Sequence, residues 1–195
     1  MSILFARYLA LGICLSLLSA CSKTIQWEEE VPLNTGEVIW VKRSVTYSLK
    51  GGAGNPFDFD YRPDWMDTLS FTWRGNDYSY TGDAVLMLLA ISPLKNTPVL
   101  VADASMNSWD RKNSYKCTVP YYVQFSPMDD KTVWVWPPNI ESWLYGNKNN
   151  LMLHRPKLEQ TKKRYNSEDI ILLNSGNNSR LKRVETDFQF TSCKN

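Results

Sequence analysis

Carboxylates and aromatic rings are concentrated between residues 57 and 67. The acidic side chains are Asp58, Asp60, Asp64 and Asp67, and the large aromatic ones among them are Tyr61 and Trp65. Two carboxylates can act together in glycoside hydrolysis, and an acidic cluster can bind calcium. Arg62 stands where an EF-hand loop would place a third oxygen ligand, which argues against calcium. We predict a proline-interrupted loop here, with a solvated surface as the leading interpretation and a hydrolase site or a calcium site as the alternatives.

The sequence contains no recognisable motif for other kinds of catalysis. His154 is the only histidine, and no GxSxG sequence presents a serine nucleophile. The glycines at 51, 52 and 54 lack the lysine and the strand-to-helix context of a phosphate-binding loop. No CxxC pair is present to hold zinc. We therefore assign no catalytic residue and expect no metal or cofactor.

Tryptophan is the one compositional oddity, with eight in the chain. Trp134, Trp136 and Trp143 lie close together in the sequence, beside Pro137 and Pro138. Rigid aromatic side chains are enriched at binding hot spots, and they also fill the cores of β-sheets. We take these three, with Tyr61 and Trp65, as candidate binding residues, and core packing is the alternative.

The first 21 residues have the pattern of a secretory leader that ends in a lipobox. Arg7 is followed by an apolar run of about 11 residues, which is too short to span a bilayer, and by Leu18-Ser19-Ala20-Cys21. This arrangement resembles the precursors of bacterial lipoproteins, in which the cysteine is lipidated and becomes the first mature residue. The resemblance implies cleavage before Cys21 and acyl chains on it. Ser22, rather than aspartate, at the next position favours the outer membrane of a Gram-negative cell.

The predicted compartment bears on charge and on cysteines. The chain has 22 Lys and Arg against 20 Asp and Glu, so loss of Arg7 with the leader leaves a net charge near +1. No strong field is implied, and the periplasm excludes nucleic acid. Cys117 and Cys193 remain after Cys21 is acylated, and an oxidising periplasm favours a disulfide between them. Two free thiols are the alternative.

Three regions are predicted from these features and from composition. Residues 1–20 are the signal peptide, 21–36 the lipidated cysteine with a tether, and 37–195 a single β-rich periplasmic domain. The acidic run at 28–30 and the following Pro32 and Asn34 predict irregular structure in the tether. The remaining length of about 175 residues suits one domain.

Alternating and continuous apolar runs predict the strands. Residues 37–49 alternate with period two, whereas 84–91 and 99–102 are continuously apolar and indicate the most buried strands. Hairpins are predicted around a type II′ turn at Gly75-Asn76 and between 116–125 and 132–136. A short helix capped by Asn139 is predicted to end at Leu144, residues 156–165 have a helix-like composition, and 170–173 fit either a helix or a strand. A final strand is predicted from Val184 to Cys193.

These elements add up to a mainly β or α+β domain, an antiparallel β-sandwich or half-barrel with one or two short helices. The body resembles small lipoproteins of Gram-negative bacteria to which no function is assigned. It is similar in general anatomy, though not in motifs, to lysozyme-inhibitor and immunity lipoproteins. Non-enzymatic binding of a periplasmic protein or of peptidoglycan is the leading hypothesis. An envelope hydrolase using the 57–67 carboxylates and a structural role in the outer membrane are the alternatives.

Overall fold

The computed structural model describes residues 22–52, 55–103, 122–135, 140–153, 155–156, 158, 161–175 and 184. The strands are β1 Ser22–Pro32, β2 Val38–Gly52, β3 Asn55–Trp73, β4 Asn76–Gly82, β5 Val85–Ile91, β6 Pro98–Asp103, β7 Tyr122–Pro127, β8 Trp134–Val135 and β9 Arg164–Tyr165. Helix α1 spans Ser167–Ser175, and a 3₁₀ turn spans Ser142–Leu144.

The strands form two sheets that pack together. One sheet has the order β4-β3-β2-β1-β9, and the other has the order β5-β6-β7-β8. Neighbouring strands are antiparallel, except that β9 runs parallel to β1. The mainly β class and the sandwich-like architecture are therefore confirmed.

The main core lies between the two sheets. The five-stranded sheet contributes Val31, Val41, Leu69, Phe71, Trp73, Tyr78 and Tyr80, and the four-stranded sheet contributes Leu86, Leu89, Ile91, Leu100, Ala102, Val123 and Phe125. Side chains on a strand alternate between its two faces, so each strand directs every second residue into this main core. This packing explains the period-two pattern predicted for β2.

The four-stranded sheet is covered on its second face as well. Met87, Leu88 and Val101 pack there against Leu144 and Leu153. A sheet buried on both faces has strands that are apolar throughout rather than alternating. The prediction that the two continuous apolar runs are the most buried strands, now β5 and β6, is confirmed.

The predicted tether at 23–36 is wrong over most of its length, because Ser22–Pro32 is a strand paired along β2. The acidic run does not prevent this, since alternation directs only Glu29 to the buried face. Trp27 and Val31 share that face and pack in apolar clusters. The acidic composition therefore obscures the strand pattern of β1 in the sequence, although Glu29 is the one charged side chain among the buried residues of this strand.

The predicted loop at 57–67 is also wrong, because it is the first half of the 19-residue strand β3. Val45 pairs with Asp67 and Tyr47 with Pro63, so three residues of β3 lie opposite Thr46 alone. Such a bulge allows a proline inside a sheet without breaking the pairing on either side. The proline marks an irregularity in a strand, not its end.

The β3–β4 hairpin is confirmed, but its turn is one residue earlier than predicted. Trp73 pairs with Asn76, which leaves Arg74 and Gly75 as the two turn residues. Their φ angles are 48° and 75°. Two positive φ angles indicate a type I′ turn rather than type II′. The hairpin predicted between 116–125 and 132–136 is confirmed where the chain is described, as β7 paired with β8.

The helical predictions are corrected in three places. Within 156–165, the described residues contain no helix, and Arg164–Tyr165 is strand β9. The undecided run at 170–173 belongs to α1, whose start Asn166 caps by accepting a hydrogen bond from the Asp169 backbone at 2.8 Å. The helix predicted to end at Leu144 is only a 3₁₀ turn, and Asn139 lies outside the described residues. So does the predicted final strand, except Val184, which is buried.

Candidate functional site

Several predicted site residues fall outside the part of the chain that the structure describes. They are the lipidation residue Cys21, the disulfide pair Cys117 and Cys193, the candidate binding residue Trp136, and His154. The backbone of Trp65 lies in β3, at the bulge. These assignments stay predictions.

Trp134 is half-buried against the main core. Its ring makes an edge contact with Tyr80, with centroids 6.0 Å apart, and a tilted contact with Tyr78. Its Nε1 donates a 2.7 Å hydrogen bond to the carbonyl of Ser79 in β4. Trp134 thus ties strand β8 of one sheet to the edge strand of the other.

Trp143 belongs to a different cluster. It packs, partly buried, with Leu144 and Tyr145 on the far side of the four-stranded sheet. Its Nε1 donates a 2.5 Å hydrogen bond to Glu141, and that bond lowers the pKa of the Glu141 carboxyl. The structure therefore does not bring Trp134 and Trp143 together into one aromatic patch.

Two of the acidic residues of 57–67, Asp64 and Asp67, are held by neighbours. Asp64 accepts hydrogen bonds from Ser48, at 2.8 Å, and pairs with Lys50, and together these hold the pKa of Asp64 below its ordinary value. Asp67 is buried and binds Arg155 Nε at 2.7 Å. A general acid in glycoside hydrolysis needs a raised pKa. The environment of Asp64 lowers its pKa instead, and Asp67 is buried against two arginine side chains.

A buried ionic cluster, which the sequence did not reveal, lies on the inner face of the five-stranded sheet. Arg43 Nη1 donates to Glu29 at 3.1 Å and to the carbonyl of Met152 at 2.7 Å. Its Nη2 lies 3.4 Å from Asp67, which also holds Arg155. Two carboxylates thus meet two guanidinium groups, and the formal charges cancel.

The cluster joins the sheet to the segment that crosses it. Glu29 accepts hydrogen bonds from Trp27 Nε1 at 2.6 Å and from the Met152 backbone at 3.0 Å. Both Glu29 and Arg43 are fully desolvated, and neither reaches solvent where a substrate would bind. The cluster is therefore a structural tie between β1, β2 and residues 152–155 rather than a reaction centre.

The opposite, outer face of the five-stranded sheet is open and polar. It carries rows of exposed or half-buried hydroxyl side chains on β2 and β3, together with one lysine and one tryptophan. We call these residues the hydroxyl face: Trp40, Lys42, Ser44, Thr46, Ser48, Thr68, Ser70 and Thr72. Ser44 and Thr68 hydrogen-bond across the strands at 2.5 Å. Each hydroxyl keeps further donor or acceptor capacity for a ligand.

Two adjoining hollows run across the hydroxyl face. Their volumes are about 410 and 710 Å³, and both are lined by Lys42 and Ser70. Trp40 borders the first hollow and is 43% exposed. Arg164 of β9 lines the second, with its guanidinium 5.2 Å from the Trp40 ring centre. Glu28 of β1 lines the same hollow and pairs with Arg164 at 2.5 Å. The result is a groove with one aromatic platform, the basic group of Lys42 and the ion pair of Arg164 with Glu28 along it.

A third hollow of about 430 Å³ lies beside α1, next to Ile170 and Asn149. Neither amide atom of Asn149 has a hydrogen-bond partner, but both atoms are inaccessible to solvent. An amide without accessible surface cannot meet a ligand in the hollow. The hydroxyl face therefore offers the better placed recognition chemistry.

Comparison with known proteins finds no matching family model, no similar curated protein and no similar solved structure. Among the described residues, no helix has the length and apolarity needed to cross a membrane.

Proposed function

We propose that this protein is a lipid-anchored cell-envelope domain that binds a cell-wall polymer, without catalysis, through the hydroxyl face. The observation that supports this most is the open groove itself, which joins hydroxyl rows, an exposed Trp40, the basic group of Lys42 and the ion pair of Arg164 with Glu28. Peptidoglycan offers hydroxyl, amide and carboxylate groups along an extended strand. Each of these groups has a complement in the groove.

The composition of the face favours a glycan over a protein partner. The centre of a protein interface is a desolvated apolar or aromatic cluster with few charges. On the hydroxyl face the large apolar side chain is Trp40, with Val38 beside it at the end of β2, and the rest of the groove is polar. An amphipathic ring can stack on the apolar side of a sugar while the hydroxyls bind its edges.

The anchor in this proposal is the acylated Cys21. Each buried acyl methylene contributes about 0.8 kcal/mol, and a single chain binds only marginally, so several chains would hold the domain at the outer membrane, facing the periplasm. In that compartment a Cys117–Cys193 disulfide would constrain the chain further. No transmembrane helix is needed for this arrangement.

Replacing Cys21 by serine is expected to abolish membrane attachment. The variant should accumulate as an unprocessed precursor or as protein released from the membrane, because serine offers no thiol for acylation. Incorporation of a fatty-acid probe, read after membrane fractionation, measures this. Probe incorporation into the Cys21→Ser protein at the level of the parent would contradict the anchor.

Replacing Trp40 by alanine is expected to weaken binding to the cell wall. Truncation of a central aromatic residue costs about 2 kcal/mol or more, roughly thirtyfold in affinity. Co-sedimentation of the protein with purified peptidoglycan sacculi measures the change. Leu94→Ala is the matched control, since Leu94 is exposed in the β5–β6 turn, away from the hydroxyl face, and it should bind like the parent. Equal affinity for Trp40→Ala and the parent would contradict the proposal.

The hydrolase alternative has no supporting geometry among the described carboxylates. The pKa of Asp64 is lowered, which does not suit a general acid, and Asp67 is buried against two arginines, away from the solvent from which a substrate would approach. The same sacculi provide the test, because release of soluble fragments that Asp60→Asn or Asp64→Asn abolishes would favour a hydrolase over a binder.

A further inference from the structure

The end of the β2–β3 hairpin projects past the start of β1. Ser22, the first residue of β1, pairs with Ser48 of β2. Strand β2 continues to Gly52, and β3 begins at Asn55. Four residues of β2 therefore extend beyond Ser22, a projection of about 13 Å at the usual rise of a strand.

This hairpin end has an exposed apolar side. Leu49 and Phe59 are 41% and 59% exposed, and they lie on the same face as Tyr47. Gly51 pairs with Phe59 and contributes no side chain to cover its ring. Nearby, Lys23 Nζ lies 4.4 Å from the centre of the Tyr61 ring.

Charged groups also lie at this end, on the opposite face of the hairpin. Lys50 pairs with Asp64 at 3.0 Å, whereas Arg62 and Asp60 are exposed. Long basic side chains with an apolar neighbour are typical of the membrane interface, where the stem is buried and the charge reaches the headgroups. The end of the hairpin is thus amphipathic.

The predicted lipid lies at the same end of the sheet. Cys21 directly precedes Ser22, and because β1 begins at Ser22 no flexible tether separates the acyl chains from the sheet. The hairpin runs past Ser22 in the direction opposite to the course of β1. The headgroup region on one side of a bilayer is only about 5–7 Å thick. A projection of about 13 Å therefore reaches the acyl boundary unless the sheet lies flat on the membrane.

We propose that the hairpin end around Leu49 and Phe59 inserts into the interface of the membrane that carries the lipid anchor. This inference rests on the proposed acylation of Cys21. Insertion would fix the orientation of the domain, with its strands rising from the membrane and the hydroxyl face turned sideways into the periplasm. The hairpin would act as a second contact beside the acyl chains.

The test uses the full lipidated protein reconstituted into vesicles of phosphatidylethanolamine and phosphatidylglycerol. Phe59→Cys and, as a second position, Leu49→Cys are labelled with a bimane fluorophore, and quenching by lipids doxyl-labelled near the headgroup is recorded. Val38→Cys is the matched control, because Val38 is 56% exposed and lies ten residues along β2 from Ser48, about 33 Å away. Labelling of the parent protein sets the background from Cys117 and Cys193.

We expect the protein to float with the vesicles and both hairpin positions to be quenched several-fold more strongly than position 38. Flotation with equal quenching at all three positions would overturn the inserted hairpin and leave the anchor intact. Failure of the parent protein to float would overturn the anchor and the inserted hairpin together. The two failures are therefore distinguishable.

Discussion

Replacing Arg43 by methionine will lower the free energy of unfolding by about 3 kcal/mol or more, the range for breaking a buried ion pair by removing one partner. Methionine fills similar space but leaves Glu29 without its guanidinium partner and the Met152 carbonyl without a donor. Asp67 keeps Arg155, so the loss is centred on Glu29. An uncompensated buried carboxylate explains most of the expected cost.

Urea denaturation of the variant and the parent measures this difference. Lys42→Met is the matched control, because Lys42 is the exposed neighbour of Arg43 in β2, and it should change stability by less than about 0.5 kcal/mol. Adding Glu29→Gln to Arg43→Met should recover part of the loss, since the amide removes the unpaired charge. A loss below about 1 kcal/mol for Arg43→Met would show that the cluster does not tie the sheet.

Replacing Trp134 by alanine will cost about 3 kcal/mol of folding stability, the lower end of the range for a buried tryptophan, because its ring is half-buried. The substitution removes the contacts with Tyr78 and Tyr80 and leaves the Ser79 carbonyl without its donor. Trp134→Phe keeps most of the ring contact and should cost about 1 kcal/mol through the lost hydrogen bond. Stability, rather than partner capture, should therefore respond to this residue.

Melting temperature and sacculus binding, measured on the same samples, separate the two roles. Met128→Ala is the control, since Met128 is exposed in the β7–β8 turn and should leave both quantities unchanged. A Trp134→Ala protein that melts like the parent but binds much more weakly would return Trp134 to the recognition surface. That outcome would contradict the core assignment.

The predictable parts of the fold are those where one physical rule acts alone. The alternation of β2 and the continuous apolar runs of β5 and β6 follow from burial on one face or on two. Two segments were mispredicted because tertiary pairing outweighs local composition. Glu29 is tolerated inside a sheet because Arg43 lies beside it, and Pro63 is tolerated because the bulge opposite Thr46 absorbs it.

Three features of the sequence indicate structure that composition alone does not: a capping box, an arginine at an inward position of a strand and a tryptophan at an outward one. Asn166 and Asp169 have the spacing of a capping box, which marks the start of α1. An arginine at position 43, between Val41 and Val45 on the inward phase, signals a buried charge that needs a partner. Trp40 has the same strand phase as Lys42 and therefore lies among the polar residues. Its exposure follows from that register.

Trp134 and Trp143 pack against the apolar clusters, whereas the exposed aromatic platform, Trp40, is a single residue with no aromatic neighbour in sequence. Trp134 and Trp143 pack in separate clusters, because Trp134 of β8 packs against the core between the sheets whereas Trp143, in the 3₁₀ turn, packs on the far side of the four-stranded sheet. Sequence proximity predicts spatial proximity poorly when a sheet lies between two segments. Only the register of β2 with β1 and β3 reveals the groove beside Trp40.

In the proposed function, the envelope partner binds at the hydroxyl face. Site-specific photo-crosslinking in intact cells tests it most directly, with a benzophenone side chain placed at Trp40 and, as a control, at Leu94, an exposed residue in the β5–β6 turn. We expect a crosslinked adduct at position 40 that digestion of peptidoglycan shortens, and none at position 94. Adducts at position 94 but not at 40, or an adduct at 40 that resists peptidoglycan digestion and contains another protein, would contradict the proposed cell-wall binding.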